Sequence, residues 1–383
     1  MISNQRVLNS VADFSAKQSV FNDIKADFAL VFADKVFFDN SDFINAIQLA
    51  CHNQVIGCST SGEIHQNSVS TESAVVSFIT LEHPDSHFQI VADKLTCMSD
   101  SFNAGARLGK AINQSDLACI LLFGKGVEIN GSALIEGLKH VLGTQIPISG
   151  GLAGDAARFE STLTLTPQGA DPDGIVALCL YGENIITGHS SVGGWKSFGP
   201  ARLITKNDQN ILYELDGQPA LDVYKKYLGE YAKDLPASGL LFPFEMVDKN
   251  NSSLGLIRTI LGIDENKGAL ILAGSIEQLG YLRLMQASAD SLVDGAEQAA
   301  IYALNAMTDK PEALFAILVS CVGRRLVMND LVEEEVEAIA QILPDNTSIS
   351  GFYSYGEMSP FSNSTDCKLH NQTMTVTLIG EGL

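Results

Sequence analysis

Ile349-Ser350-Gly351-Phe352-Tyr353-Ser354-Tyr355-Gly356-Glu357 sets the reading of the whole chain. An apolar, β-prone run enters it, two glycines bracket four residues, and an acid follows the second glycine. Glycine has no Cβ and accepts φ > 0, so the backbone can bend sharply there and approach another group closely. The arrangement recurs at Ile56-Gly57-Cys58-Ser59-Thr60-Ser61-Gly62-Glu63 and at Ile148-Ser149-Gly150-Gly151-Leu152-Ala153-Gly154-Asp155. Three copies of apolar run, glycine turn and acid predict a repeated architecture with its site at the turns.

Working outward, each turn closes a similar unit. Phe28–Ala33 reads as a buried strand, Ser41–Cys51 as a helix and Gln54–Ile56 as the returning strand. Leu117–Phe123, Ser132–Leu142 and Ile146–Ile148 repeat the order, as do Leu314–Ser320, Leu331–Leu343 and the run from Ile349. Strand, helix and strand at this length form a right-handed crossover with parallel strands, and ligands in such sheets bind beyond the strand C-termini. Asp100-Ser101-Phe102-Asn103-Ala104-Gly105-Ala106 also echoes Asp290-Ser291-Leu292-Val293-Asp294-Gly295-Ala296, each opening an alanine-rich helix with Asp or Ser available as N-cap. The fold class is therefore mixed α/β (α+β). Two related halves arise by duplication, with β-sheets flanked by helices. Ser161–Thr166, Gly174–Tyr181 and Ile185–Val192 read as antiparallel strands between the halves, and Thr373–Ile379 as a closing strand.

The 383 residues carry 45 acids against 24 bases, a formal net charge of −21, which argues against a nucleic-acid backbone or anionic membrane as partner. Seven cysteines without finger spacing read as reduced thiols. No leader pattern opens the sequence and no apolar run reaches membrane-spanning length, so the expected location is cytoplasmic.

At this point the sequence resembles the FIST family of prokaryotic sensory modules. The resemblance rests on Val55–Ile64, Ile146–Asp155, Gly193-Gly194-Trp195, Tyr213–Ala220, Gly351–Pro360 and Leu369-His370-Asn371-Gln372-Thr373. It implies an N-terminal sensory part over residues 1–215 and a C-terminal part over 216–383. It also implies recognition of a small ligand, with output through a separate protein such as a histidine kinase. Some similar stand-alone members bind haem b and sense nitric oxide. An amino acid or other small metabolite is the alternative ligand, and a Cys-dependent hydrolase the alternative class.

The candidate ligand-binding residues follow from the turns. Backbone N–H groups at Gly57, Ser59 and Gly151 would form anion-binding nests, and Glu63, Asp155 and Glu357 would accept from a ligand amine or hydroxyl. Phe352, Tyr353 and Tyr355 would wall a pocket, with a phenol supplying a hydrogen bond. Arg324, at a strand's C-terminal end, would hold a carboxylate or haem propionate, and Asn371 is a further candidate ligand-binding residue. For haem, His189 and His370 are the candidate axial ligands, and covalent attachment is excluded because Cys-x-x-Cys-His is absent. Cys58 and Cys321 are the candidate nucleophiles of the hydrolase reading, but no protease, lipase or kinase signature accompanies them. The chain is read as a non-enzyme.

Overall fold

The computed structural model describes residues 1–16, 21, 23–309, 311–361 and 364–382. Its frame repeats one plan three times. The first unit runs β1 (Ile2–Leu8), α1 (Val11–Ala16), β2 (Phe28–Ala33), α2 (Lys35–Phe38), α3 (Ser41–Ala50), β3 (Val55–Ser59), a hairpin of β4 (Glu63–His65) and β5 (Ser68–Ser70), and β6 (Ala74–Thr80). The second runs β7 (His87–Lys94), α4 (Ser101–Ala111), β8 (Leu117–Gly124), α5 (Gly131–Leu142), β9 (Ile148–Leu152), a hairpin of β10 (Thr164–Thr166) and β11 (Gly169–Asp171), and β12 (Gly174–Tyr181).

The third unit opens with β13 (Ile185–Val192) and is interrupted by an inserted β-rich domain. That domain comprises β14 (Lys196–Ser197), β15 (Arg202–Asp208), β16 (Ile211–Leu215), β17 (Gln218–Pro219), α6 (Ala220–Leu228), β18 (Phe244–Val247), β19 (Ser253–Arg258), β20 (Ile260–Asp264), β21 (Ala269–Leu272) and β22 (Tyr281–Gln286). The unit resumes with α7 (Ala289–Ala306), β23 (Leu314–Cys321), α8 (Val322–Met328), α9 (Val332–Ile342), β24 (Thr347–Ser354), a hairpin of β25 (Gly356–Pro360) and β26 (Cys367–His370), and β27 (Met374–Glu381). The expected α/β class with related halves is present: the echoing segments after Asp100 and Asp290 are α4-β8-α5-β9 and α7-β23-α9-β24. The plan extends to the first unit as well.

The predicted parallel pairs form, β2 with β3, β8 with β9 and β23 with β24. Each unit lends its hairpin to a neighbour's sheet. The three sheets run β1-β6-β2-β3-β10-β11, β7-β12-β8-β9-β25-β26 and β13-β27-β23-β24-β4-β5. The exchange is cyclic, so no unit completes its own sheet. The inner faces meet in one apolar core in which Phe352 stacks on Phe32 at 4.7 Å and lies 6.0 Å from Phe123. Helices cover the outer faces.

The first glycine of each repeated stretch lies inside a strand, not in a turn. Gly57 pairs with Val31, Gly150 with Leu122 and Gly351 with Leu318, and a Cβ on any of them would overlap the partner's carbonyl oxygen. The repeated glycine is thus explained by strand packing. The turns proper are short bends, before Glu63 in one case and at Tyr355 in another. The helix caps also differ from expectation: Ser288, with Ser291, caps α7, while Asp100 makes no capping bond and pairs with Arg107 at 2.9 Å.

Candidate functional site: a crevice between the second unit and the inserted domain

A crevice of about 460 Å³ opens where the inserted domain meets the second unit. On the frame side lie Met98, the loop 126–131 that leads from β8 into α5, Leu152 at the end of β9, and Phe159. The hairpin lent by the third unit adds Tyr355 and Leu369, and the inserted domain adds Asn210, Leu261 and residues 271–274. The site therefore sits beyond the C-terminal ends of a parallel strand pair, where the crossover leaves an opening. Its walls are mainly apolar with a few polar groups, the composition of small-molecule sites.

Local sequence explains its polar edge. Asn130 caps α5 by accepting from the Ala133 N–H at 3.1 Å, and its Nδ2 donates to Ser275 Oγ of the inserted domain at 3.4 Å. The start of the helix is thereby tied to the opposite wall. Asp155 accepts from the N–H groups of Phe159, Glu160 and Ser161 at 2.8, 2.9 and 2.9 Å, and from the Tyr355 hydroxyl. This folds the 155–161 loop back and stacks Phe159 on Tyr355 with ring centroids 4.2 Å apart. The strand expected from Ser161 starts only at Thr164, because Asp155 holds the preceding amides. Burial, reinforced by the Asp155 carboxylate, pushes the Tyr355 phenol well above its ordinary value.

Of the candidate residues read from sequence, Tyr355 lines the crevice and Asp155 supports it from beneath. The others lie elsewhere. Ser59 donates to the Gly154 carbonyl at 2.8 Å and accepts from Leu163 N at 2.9 Å, so it braces the strand end and is not part of an anion nest. Gly57 and Gly151 are strand residues, and the Cβ direction of Gly151 points at Val319 and Phe352 in the central core. Glu63 takes the hydroxyls of Thr60 and Ser73, and Glu357 those of Ser354 and Thr373. Both carboxyls are buried, and desolvation raises them to about 7 and about 8. Asp155 is not their counterpart: the residue paired opposite the equivalent position of the first sheet is Thr164.

Arg324 contradicts the expectation of a strand-end carboxylate holder. It is wholly buried and bound to Glu335 at 2.6 Å, with further bonds to the carbonyls of Gly193 and Leu292. Tyr353 belongs to the same network, donating to Glu335 at 2.6 Å, and it does not border the crevice. Phe352 is in the core. Asn371 is buried at the start of the β26–β27 turn, its Oδ1 without a partner among the described residues.

The histidines do not fit a haem in this crevice. His370 follows Leu369 on β26, and alternate strand residues face opposite sides, so with Leu369 in the wall the imidazole points away. Its Nε2 is engaged with the Ser359 carbonyl at 2.9 Å and its ring meets Phe361 edge-on. His189 sits on β13 opposite Thr377, buried, with neither ring nitrogen hydrogen-bonded among the described residues, and it does not border the crevice. Burial lowers both imidazoles to about 4. Among the described residues no group of three His, Cys, Asp or Glu side chains is placed to hold a metal ion. Cys58 and Cys321 are buried, and desolvation raises their thiols, opposite to what a nucleophile needs.

Several wall residues escaped sequence reasoning. Asn130-Gly131 follows a strand end and carries a cap signal, so the rule that ligands bind beyond strand C-termini points to it. Leu261, Gly274 and the nearby Arg258 had no such signal, because they reach the site only through docking of a distant insertion.

Two family models match the chain. Residues 27–218 match the FIST N domain and residues 220–360 the FIST C domain. The chain belongs to the FIST family, whose domains suggest a sensory role in small-ligand binding and signalling. It is 24% identical over 356 residues to an uncharacterized protein of Methanocaldococcus jannaschii, covering 79% of this chain and 64% of that relative's length. The crystal structure of a cyanuric acid hydrolase from A. caulinodans aligns over 100% of this chain and 99% of its own, at 8% identity and a TM-score of 0.37. That likeness is too low to support any statement about activity. Among the described residues no helix is long and apolar enough to cross a membrane.

Proposed function

We propose that this chain is a sensor that binds a small organic metabolite in the crevice and transmits the bound state through the inserted domain to a separate signalling protein. One observation carries the reading. The crevice is walled by both frame and insertion, with Met98, Phe159 and Tyr355 from the frame and Leu261 and Leu272 from the insertion. A ligand touching both sides stabilises one relative position of frame and insertion over others, which is the requirement for a signal. The junction is built to register such a shift. Trp195, the chain's single tryptophan, is buried there and donates from Nε1 to the Gln372 carbonyl at 2.8 Å.

This reading favours the metabolite over haem with nitric oxide, since His189 and His370 face away from the crevice or lie apart from it. It also favours binding over catalysis, given the enclosed thiols of Cys58 and Cys321. The output partner, a histidine kinase or another signalling protein, is proposed from the family's sensory character. The test is a thermal-shift screen of metabolites on the full chain, repeated on Leu261→Trp. Leu261 is 42% exposed, so the larger side chain fills the crevice without disturbing a core. A true ligand raises the melting temperature of the native chain, loses that effect in the variant, and changes Trp195 emission. Ligands that stabilise both proteins equally would refute the crevice as the site.

A further inference from the structure

Arg258 is a cation without a counter-ion that lies directly behind the crevice wall, touching the wall residues Gly274 and Leu369. Its side chain is 4% exposed at the end of β19. Nε donates to the Ser275 carbonyl at 2.9 Å, and Nη1 to the carbonyls of Ile257 at 2.9 Å and Leu369 at 3.3 Å. No carboxylate pairs with it among the described residues, and desolvation alone lowers it, to about 10. The contrast within this chain is sharp. Buried Arg324 has Glu335, and Arg283 has Glu245 at 2.7 Å. A buried guanidinium served only by carbonyls keeps its full charge in a low-dielectric setting and favours an incoming anion.

Its position sets that charge against the back of the crevice wall. Leu369, whose carbonyl it binds, is a wall residue, and so is Gly274, next to Ser275. A Cβ at Gly274 would stand 3.1 Å from Nε, 3.3 Å from Cζ and 3.3 Å from Leu369 Cδ2, so between guanidinium and crevice stand only the Gly274 backbone and the Leu369 side chain. Nη2 has no protein acceptor among the described residues, and it is not among the sealed unpartnered polar atoms. It therefore remains open to approach. Across the crevice, α5 begins at Gly131, and its first amides add a second, weaker positive end.

We infer that the crevice selects ligands carrying a carboxylate on a compact apolar body, and that Arg258 reads the carboxylate. The inference rests on the crevice being the ligand site. The apolar body lies against Phe159, Leu261 and Leu272. The carboxylate accepts from Nη2, a charge-assisted bond that an amide of the same shape cannot reproduce. In a chain of net charge −21 a site for anions needs such a built-in cation.

The experiment uses 3-phenylpropionate and 4-methylpentanoate, each beside its neutral amide, titrated calorimetrically into the full chain, Arg258→Met, Arg258→Lys and Leu261→Trp. At least one carboxylate is expected to bind at least about tenfold more tightly than its amide. Arg258→Met abolishes that preference, Arg258→Lys keeps part of it, and Leu261→Trp removes binding of acid and amide alike. Amides binding as well as acids, Arg258→Met retaining the preference, or no binding of either carboxylate each overturns the inference. If binding is lost in Leu261→Trp but indifferent to charge and to Arg258, the crevice stands as the site and only the role of Arg258 falls. Should Arg258→Met fail to fold, the acid–amide comparison in the native chain and the Leu261→Trp block still decide the matter.

Discussion

Replacing Arg324 by Met tests whether this arginine is a structural ion, as its geometry states, or a ligand-binding group. Both Arg324 and Glu335 have side chains with 0% exposure. Nε and Nη2 contact the same Glu335 oxygen at 3.0 and 2.6 Å, while the other oxygen accepts from Ser320 at 3.0 Å and Tyr353 at 2.6 Å. The remaining donors hold the carbonyls of Gly193 and Leu292, which link β13's end and α7 to the network. In Arg324→Met the carboxylate keeps two hydroxyl donors but loses its cation inside the protein. Breaking one side of a buried pair costs about 3–5 kcal/mol. The two orphaned carbonyls add about 1 kcal/mol each, part of it already counted in that range. A loss of about 4 kcal/mol is expected, read as a shifted urea midpoint at unchanged slope. Adding Glu335→Leu should recover most of the loss, because the apolar pair leaves no uncompensated charge. A loss under about 1 kcal/mol, or no recovery in the double variant, would refute the structural assignment.

Three further outcomes are expected. Glu357 has a folded value of about 8 against 4.5 for a free glutamate. Between those pH values the unfolded chain releases a proton that the folded chain keeps, so its contribution to stability falls as pH rises through that window. Glu357→Gln should flatten this decline in urea melts between pH 5 and 8, and an unchanged slope would contradict the buried neutral carboxyl. Gly351→Ala places a Cβ on the Leu318 carbonyl and should abolish soluble folding, whereas Gly143→Ala, with open space but φ +79°, should cost only about 1 kcal/mol by chemical denaturation. Asp155→Ala removes the carboxylate acceptor of three amides, and hydrogen exchange at Glu160 and Ser161 should accelerate about fivefold, since each lost bond is worth about 1 kcal/mol, with a smaller effect at Phe159, whose amide also meets the Tyr355 hydroxyl at 3.2 Å. Unchanged protection there would mean the loop is held by Phe159 stacking instead.

The strands and helices that could be read from sequence are those whose pattern is local. Leu314–Cys321 and Gly174–Tyr181 are continuous apolar runs because both faces are covered, and Val332–Ile342 carries its stripe at helical spacing. The repeated glycine was legible as a repeat, but its cause was not. Its demand comes from a neighbouring strand about thirty residues away, which sequence does not show to be in contact. Arg324 was misread for the same reason. A strand-end arginine looks exposed until α9 brings Glu335 over it. Tyr355 was identified from aromatic content in a bend, and it does line the crevice. Its companions from the insertion were invisible, because β19–β21 pair only among themselves and with β16 and β18, and their docking onto the second unit leaves no periodic mark.

The hairpin exchange bears on how a signal can move. Because β4–β5, β10–β11 and β25–β26 each complete another unit's sheet, displacing one unit breaks backbone ladders in two sheets at once. Such a frame resists internal rearrangement. The insertion is different. It has its own apolar core and meets the frame through a cluster around Trp195, Ile257, Met285, Leu292 and Met328, through bonds such as Gln372 Nε2 to the Leu240 carbonyl at 2.9 Å and Arg258 to the Leu369 carbonyl at 3.3 Å, and at the edges of the crevice. Among the described residues no strand ladder is shared across that boundary, so shifting the insertion against the frame breaks no backbone ladder. The crevice lies on that boundary, with Asn130 and Ser275 bridging it. Tyr355 belongs to the frame, held by Asp155 and by a hairpin exchanged between units. It is thus the wall set by the frame, and Leu261 and Gly274 form the wall set by the insertion.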